Sequence, residues 1–212
     1  MKRIKNDDWD CFRCIIHFKH YGLFELVDAA SILFINMVCA HKQFWGNIGY
    51  RRDLLNNLGF PNKNVLFDEL TTYLVFRRNR KRIGYFSDLS IEMWPIPSFK
   101  AYLEQRLRYA YENIAYPLRF SLSLVIIPAF LFLLSRGKSS LPLSIIFISG
   151  LVIYLVVMGF LGQLVYGKKM PKYTFLFTPF WFLPYPLFSW FAIFAYATGG
   201  IYFGGNKIRR VV

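Results

Sequence analysis

The sequence predicts a mixed α/β lobe followed by an α-helical membrane region, chiefly because of where its acidic residues lie. All 12 Asp and Glu residues fall between Asp7 and Glu112, and the remainder of the 212-residue chain is mostly apolar and aromatic. Hydrophobic residues make up 55% of the chain, which exceeds the usual share for a soluble domain. The formal net charge of +14 indicates a membrane surface and not nucleic acid, because no nucleic-acid-binding module is recognisable.

Short elements joined by turns are predicted for the front part of the chain, residues 1–98. Residues 23–40 are apolar but contain Glu25 and Asp28. Because carboxylates within a membrane are costly, we expect a buried or interfacial helix here and not a crossing. The other predicted elements are helices at residues 54–58 and 70–78. Residues 83–91 are predicted to form either a pair of short strands or one strand and a turn, with the break at Ser87 and Asp88.

A C-x-x-C motif near the start of the chain raises the question of a metal site. Cys11 and Cys14 form this motif, and His17 and His20 follow it. The spacing is too tight for the usual zinc arrangement of two ligand pairs separated by a loop. We therefore interpret the cysteines as thiols on an amphipathic segment and predict no metal ligands in the chain.

An interfacial amphipathic helix, residues 99–117, is predicted to join the lobe to the membrane region, with Ser98 as its N-cap. The membrane region, residues 118–212, holds three apolar blocks. A crossing helix needs about 20 apolar residues, and the block at residues 142–166 satisfies this requirement fully. The blocks at residues 118–134 and 175–203 contain prolines and are predicted to cross or to re-enter, giving two to three such helices. No secretory signal opens the sequence, so the lobe is expected on the cytoplasmic side.

Two groups of residues in the front part carry candidate chemistry. Asp68 and Glu69 are adjacent, so like-charge repulsion would raise the pKa of one carboxyl if both were partly buried. Such a carboxylate can take a proton from an attacking hydroxyl. Gln105 and Arg108 share a helix face, where the guanidinium fork of the arginine suits a phosphate or a sugar. Tyr109 beside them offers a flat surface for a sugar or a base.

The order of these segments is more specific than any one of them. It resembles the C-terminal part of a membrane-bound glycosyltransferase of family 2, which has a GT-A type fold. That family has a small-residue acceptor loop ending in an aromatic residue and two arginines, then a Glu-Asp pair, then a Gln-x-x-Arg-Trp helix at the membrane. The corresponding segments in this sequence are Gly46-Asn47-Ile48-Gly49-Tyr50-Arg51-Arg52, Asp68-Glu69 and Gln105-Arg106-Leu107-Arg108-Tyr109.

The resemblance implies an inverting transfer of a sugar from a nucleotide-sugar donor to a lipid-linked or polysaccharide acceptor. Asp68 or Glu69 would be the general base. The acceptor pocket would be lined by Gly46, Asn47 and Gly49. The diphosphate and acceptor end of the site would be bound by Gln105, Arg106, Arg108 and Tyr109. The family also implies a divalent metal, Mg²⁺ or Mn²⁺, whose ligands are not found in this chain.

The sequence departs from the family pattern at three points. The acid pair is Asp-Glu and not Glu-Asp, which leaves open which carboxylate is the base. Tyr109 stands where the family has Trp. The nucleotide-binding strands and the Asp-x-Asp metal motif are not recognisable, so we expect either that the chain is a fragment or that a separate N-terminal half binds the donor. Asp8-Trp9-Asp10 has the Asp-x-Asp form, but no apolar strand precedes it.

Other interpretations remain open. In a non-enzymatic membrane scaffold or assembly subunit, the acid pair and the Gln-x-x-Arg motif would be ordinary surface groups. A small transporter is disfavoured, because no ionisable residue lies centrally in residues 142–166. The cationic run at residues 77–82 is interpreted as a surface facing anionic lipid headgroups, with a polyphosphate-binding patch as the alternative.

Overall fold

The computed structural model describes residues 9–38, 47–58, 68–115, 117–135, 141–203 and 206–208. Within these ranges the front part contains a three-stranded sheet in the order β2-β1-β3. Its strands are β1 (Cys11–Phe18), β2 (Gly49–Tyr50) and β3 (Ile83–Met93). β1 runs antiparallel to β2 and parallel to β3. The mixed α/β character predicted for the lobe is therefore present, in a small sheet.

The strand β3 is continuous over Ile83–Met93, where the sequence predicts either two short strands or one strand and a turn. Its register against β1 shifts, because Cys14 pairs with Phe86 whereas Ile15 pairs with Ser90. The residues in between include Ser87 and Asp88, at which the break is predicted. These residues bulge out of the ladder without ending the strand, which is the usual way in which a sheet accommodates extra residues.

Helices dominate the rest of the described chain. Those of the front part are α1 (Leu23–Val38), α2 (Arg52–Leu58), α3 (Asp68–Arg78) and α4 (Phe99–Glu112), the last followed by a 3₁₀ turn (Asn113–Ala115). Those of the back part are α5 (Pro117–Ser135), α6 (Leu141–Tyr166), α7 (Thr178–Phe182) and α8 (Tyr185–Ala197). A 3₁₀ turn (Thr174–Phe177) precedes α7. The strands β4 (Ile201–Phe203) and β5 (Asn206–Ile208) follow α8 and pair with each other. Ser98 caps α4 as predicted, because its hydroxyl accepts a hydrogen bond from the Ala101 N–H at 3.2 Å.

The helix α1 is the centre of the packing. Every residue from Glu25 to Asn36 is buried, which confirms the predicted buried helix. One side of α1 packs with the apolar residues of β1 and with Tyr166 and Met170. Another side packs with Leu155 of α6 and Trp181 of α7. The sheet and the apolar back half therefore share a core through α1.

The helix α6 is the described helix that is long and apolar enough to cross a membrane, over Pro142–Tyr166. Two bent pairs of helices reach that length only when each is taken together. One pair, Thr174–Phe182 with Tyr185–Ala197, bends by 44°, and the other, Phe99–Glu112 with Pro117–Phe132, bends by 119°. The described residues thus provide one candidate span, or up to three if each bent pair is a span.

The contact between α6 and α1 depends on Gly162. A Cβ atom at this position would lie 2.4 Å from the Leu33 carbonyl oxygen, which is far inside contact distance. Gly162→Ala is therefore expected to lower the free energy of unfolding by about 1–3 kcal/mol, because the two backbones must move apart. Denaturant unfolding in detergent micelles measures this change.

Gly150 is the matched control on the same helix. A Cβ atom there has nothing within 4 Å, so Gly150→Ala adds no clash. Because alanine favours a helix over glycine, this variant is expected to gain about 0.5–1 kcal/mol. A loss of the same size in both variants would mean that the close approach of α6 to Leu33 is not what requires glycine.

Candidate functional site

One aromatic cluster brings together segments that the sequence groups into a site. Its centre is Tyr73 of α3, which is 5% exposed. Packed around Tyr73 are Ile48, Leu74, Ile83, Tyr85 and Tyr109, and we refer to these six residues as the Tyr73 cluster. The Tyr73 and Tyr85 hydroxyl groups lie 3.1 Å apart, and the Arg13 guanidinium carbon lies 4.9 Å from the centroid of the Tyr73 ring. The cluster joins the segment between Asn47 and Gly49, the helix that begins with the acid pair, and the Gln105 to Tyr109 motif.

Asn47 and Gly49, which lie beside the cluster, both pack closely against β1. The Asn47 amide oxygen accepts a hydrogen bond from the Cys14 N–H at 2.8 Å, and its amide nitrogen donates to the Cys14 carbonyl at 2.7 Å. These bonds attach the segment to β1 at the point where the register shifts. A Cβ atom at Gly49 would lie 2.2 Å from the Phe12 ring. Their lining of an acceptor pocket stays a prediction, and Gly46 lies outside the described residues.

The acid pair lies at the start of α3. Asp68 is the first residue of this helix, and Glu69 is the second. Their side chains lie outside the described part of the chain, so their role as base stays a prediction. Tyr73 follows on the same helix, which puts the start of α3 about a turn and a half from the cluster.

Gln105, Arg108 and Tyr109 form one group on α4. The Gln105 amide nitrogen donates to the Tyr109 hydroxyl at 3.0 Å. The Arg108 guanidinium carbon lies 5.5 Å from the centroid of the Tyr109 ring. Burial, reinforced by the nearby Asp28 carboxylate, raises the pKa of Tyr109 to about 12. Its hydroxyl therefore stays protonated at neutral pH and keeps a proton to donate.

Arg106 lies in the interior, where it forms an ion pair with Asp28 of α1. The two side chains are 6% and 5% exposed. The Arg106 guanidinium carbon also lies 5.1 Å from the centroid of the Tyr102 ring and 4.9 Å from that of Tyr109. The geometry gives Arg106 the role of holding α4 on α1, while its predicted place over a diphosphate stays a prediction.

Sequence reasoning did not include Asp28 in the site, although a signal was present. A carboxylate within the apolar residues 23–40 cannot remain buried and charged without a partner, so it indicates a cation elsewhere in the chain. Glu25 on the same helix is satisfied differently, because its carboxylate accepts backbone N–H bonds from Gly22 at 2.9 Å and Ile96 at 2.6 Å.

The divalent metal that the resemblance implies stays an expectation. The described residues contain no group of three or more His, Cys, Asp or Glu side chains that could hold an ion. The Asp10 carboxylate accepts the Arg82 N–H at 2.9 Å, and Asp8 lies outside the described residues. Burial raises the pKa of the Cys11 thiol to about 12, which keeps it protonated at neutral pH.

The chain has no match among models of known protein families, among curated proteins or among solved structures. The chemistry of the site therefore has to be argued from its own residues. Tyr109 packs against Tyr73 and brings with it the Gln105 amide and the Arg108 guanidinium, while the acid pair lies at the start of the helix that carries Tyr73.

Proposed function

We propose that this chain provides the acceptor side of a membrane glycosyltransferase of family 2 type. The reaction is an inverting transfer of a sugar from a nucleotide-sugar donor to a lipid-linked or polysaccharide acceptor. The observation that supports it best is the Tyr73 cluster. A helix that begins with a carboxylate pair and a helix that carries a Gln-x-x-Arg-Tyr motif contact one another there, in the order that the resemblance requires.

In the proposed reaction, Asp68 or Glu69 takes the proton of an acceptor hydroxyl. The hydroxyl oxygen bonds to the anomeric carbon of the donor sugar, and the bond from that carbon to the diphosphate oxygen breaks. Negative charge then grows on the diphosphate. Arg108 stabilises this charge with its guanidinium donors, and Gln105 and Tyr109 add neutral donors beside it. No step at these residues requires a metal ligand from the described part of the chain.

The donor half of the site would come from a separate N-terminal half. The nucleotide-binding strands and any Mg²⁺ or Mn²⁺ ligands belong to that half in this proposal. The helix α6 is long and apolar enough to anchor the chain in a membrane. The lobe would then lie on the cytoplasmic side, where nucleotide sugars are found.

The test is a transfer assay in membranes that contain the chain together with a donor-binding half. The first half to try is the product of the reading frame directly upstream of Met1. Radiolabelled nucleotide sugars are added, and label is measured in lipid extracts and in polymer. Transfer that requires the chain supports the proposal. A folded complex with no transfer from any common nucleotide sugar contradicts it and favours a scaffold subunit.

Arg108→Ala tests the proposed contact with the diphosphate. Because a hydrogen bond to a charged group contributes about 1.5–3 kcal/mol, kcat/KM for the nucleotide sugar is expected to fall by roughly tenfold to a hundredfold. Lys100→Ala is the control, since Lys100 is an exposed cation on the same helix. Wild-type kinetics in Arg108→Ala would contradict the role assigned to Arg108.

A further inference from the structure

The Arg13 guanidinium is a buried charge that finds no counter-charge among the described residues. Arg13 is only 4% exposed. Its Nε atom is buried without a hydrogen-bond partner, and none of the ion pairs within the described part of the chain includes this side chain. Arginine is almost never buried unless it is paired, because a charge that leaves water without a partner is costly. A chain that keeps such a charge therefore indicates a ligand of opposite sign.

The buried carboxylates of α1 show how this chain satisfies a buried charge elsewhere. Asp28 is paired with Arg106, and the Glu25 carboxylate accepts two backbone N–H bonds. Arg13 has instead the ring of Tyr73, whose centroid lies 4.9 Å from the guanidinium carbon. A ring attracts the charge but accepts none of the in-plane N–H bonds of a guanidinium. The donors of Arg13 therefore stay available for an anion.

Two tyrosine hydroxyl groups belong to the same cluster as Arg13. Tyr85 is directly opposite Arg13 in the parallel pairing of β1 and β3, so the two side chains leave the sheet on the same face. The Tyr73 and Tyr85 hydroxyl oxygens lie 3.1 Å apart, and either group can donate in that bond. Burial, reinforced by the Tyr73 hydroxyl, raises the pKa of Tyr85, so Tyr85 keeps its proton at neutral pH. When Tyr85 donates to Tyr73, the Tyr73 hydrogen is left to donate to a ligand.

The charge of this group of side chains favours a carboxylate over a phosphate. One guanidinium and two neutral phenols balance a single negative charge. A carboxylate carries one such charge, and its two oxygens match the planar fork of the guanidinium. A phosphate monoester carries about 1.5–2 negative charges at neutral pH, so it would bring uncompensated charge into the interior. The ligand that fits best is therefore a carboxylate.

The Tyr73 cluster reaches the protein surface beside Tyr109. Tyr85 and Tyr109 are half-buried, whereas Tyr73 and Arg13 are almost fully buried. A molecule that places a carboxylate at Arg13 would therefore extend outward past the Tyr109 ring. That ring offers a flat apolar surface, and the Gln105 amide bonded to its hydroxyl offers a polar group. This mixture suits a sugar, which has flat apolar faces and hydroxyl groups at its edges.

We infer that Arg13 and the hydroxyl groups of Tyr73 and Tyr85 bind the carboxylate of an acidic sugar in the acceptor. Arg13 donates two parallel N–H bonds to the carboxylate oxygens, and Tyr73 donates a third bond. The carboxylate is argued from the cluster alone. Its place in an acceptor sugar rests on the proposed function and deepens it, because the acceptor then contains a uronic acid and is not a neutral saccharide.

A binding experiment tests this inference without any sugar transfer. The full chain is reconstituted in phosphatidylcholine nanodiscs, and fluorescence polarisation measures the Kd of a fluorescent tetrasaccharide that contains glucuronate. The unlabelled tetrasaccharide is expected to compete. Its carboxyl-reduced form, which is neutral but otherwise identical, and polyglutamate, which has carboxylates but no sugar, are expected to compete poorly. Glucuronate is expected to compete better than glucose 6-phosphate, which carries a phosphate at the corresponding carbon.

Arg13→Met separates ligand binding from stability. It removes a charge-assisted hydrogen bond and is expected to raise the Kd by roughly tenfold to a hundredfold. It also replaces an unpaired buried charge with an apolar side chain, so the ligand-free variant is expected to unfold at a higher temperature than the wild type. Tyr73→Phe removes one hydroxyl and is expected to raise the Kd by about twofold to tenfold. Lys19→Met is the control, because it removes an exposed cation directly after β1 and should leave the Kd unchanged.

Three results would overturn the inference. The first is no binding by the wild type, or a Kd that Arg13→Met leaves unchanged. The second is equal competition by the carboxyl-reduced form, by polyglutamate or by glucose 6-phosphate, since each lacks one part of the proposed ligand. The third is a lower unfolding temperature for Arg13→Met, which would mean that a group of the protein pairs with Arg13. Because the assay needs no donor half, uronate binding with no sugar transfer would contradict the proposed enzyme alone, and transfer to a neutral acceptor with no uronate binding would contradict this inference alone.

Discussion

Replacing Asp28 with asparagine is expected to lower the free energy of unfolding by about 3–5 kcal/mol, because it leaves the Arg106 guanidinium buried without a counter-charge. The two side chains are only 5% and 6% exposed, so water cannot replace the lost carboxylate. The rings of Tyr102 and Tyr109 recover a small part of the loss, since a cation over an aromatic ring gains about 0.5–2 kcal/mol. Denaturant unfolding in detergent micelles measures the change.

Two further variants separate the loss of charge from general damage. The double variant Asp28→Leu with Arg106→Met removes both charges and is expected to recover most of the stability, because well-packed apolar residues often replace a buried ion pair without loss. Asp53→Asn removes the exposed partner of Arg51, which lies 2.8 Å away, and is expected to change little. If Asp28→Asn unfolds at the same denaturant concentration as the wild type, the ion pair does not form.

The ion pair also has a consequence for the site. Arg106 stands between Gln105 and Arg108 in the sequence, so an Arg106 fixed on α1 fixes the helix that carries both. We therefore regard Arg106 and Asp28 as positioning residues. In the transfer assay, Asp28→Asn is expected to lower kcat more than it raises KM for the donor, because a displaced α4 misplaces the groups that act at the transition state.

Local signals account for the elements that the sequence predicts. The helix α1 follows from an apolar run, the start of α4 from a serine cap, and α6 from a long stretch without charge. The strand β1 was missed because all but two of its eight residues are buried. A strand covered on both faces shows no alternation of polar and apolar residues, so nothing in Cys11–Phe18 distinguishes it from other apolar segments.

The site was predicted as a set of residues but not as a set of contacts. Spacing on a helix places Gln105, Arg108 and Tyr109 together, and the structure brings them together. Asp28 and Arg106 lie 78 residues apart, and Asn47 and Cys14 lie 33 apart. No local pattern reveals such pairs, because they depend on how α1 and β1 pack within the tertiary fold.

Replacing the general base among Asp68 and Glu69 is expected to have the largest effect on sugar transfer. If one of the pair is the general base, its replacement by the matching amide is expected to lower kcat for sugar transfer by about 10²–10⁴-fold, because a positioned base contributes that much. Asp68→Asn and Glu69→Gln are therefore measured separately in the assembled enzyme. One variant should lose transfer, and the other should remain within about threefold of the wild type, as expected for a neighbour that acts only through its charge.

The pH profile distinguishes a base from a residue that merely supports the helix. In the wild type, kcat/KM should fall at low pH as the base becomes protonated, and the base variant should lose this acidic limb, because nothing is left to protonate. Glu104→Gln, an exposed change on α4, is the control and should keep the limb. If both Asp68→Asn and Glu69→Gln retain transfer and the acidic limb, the base lies elsewhere. The family resemblance would then lose the residue on which its chemistry depends, and the result would favour a non-enzymatic scaffold.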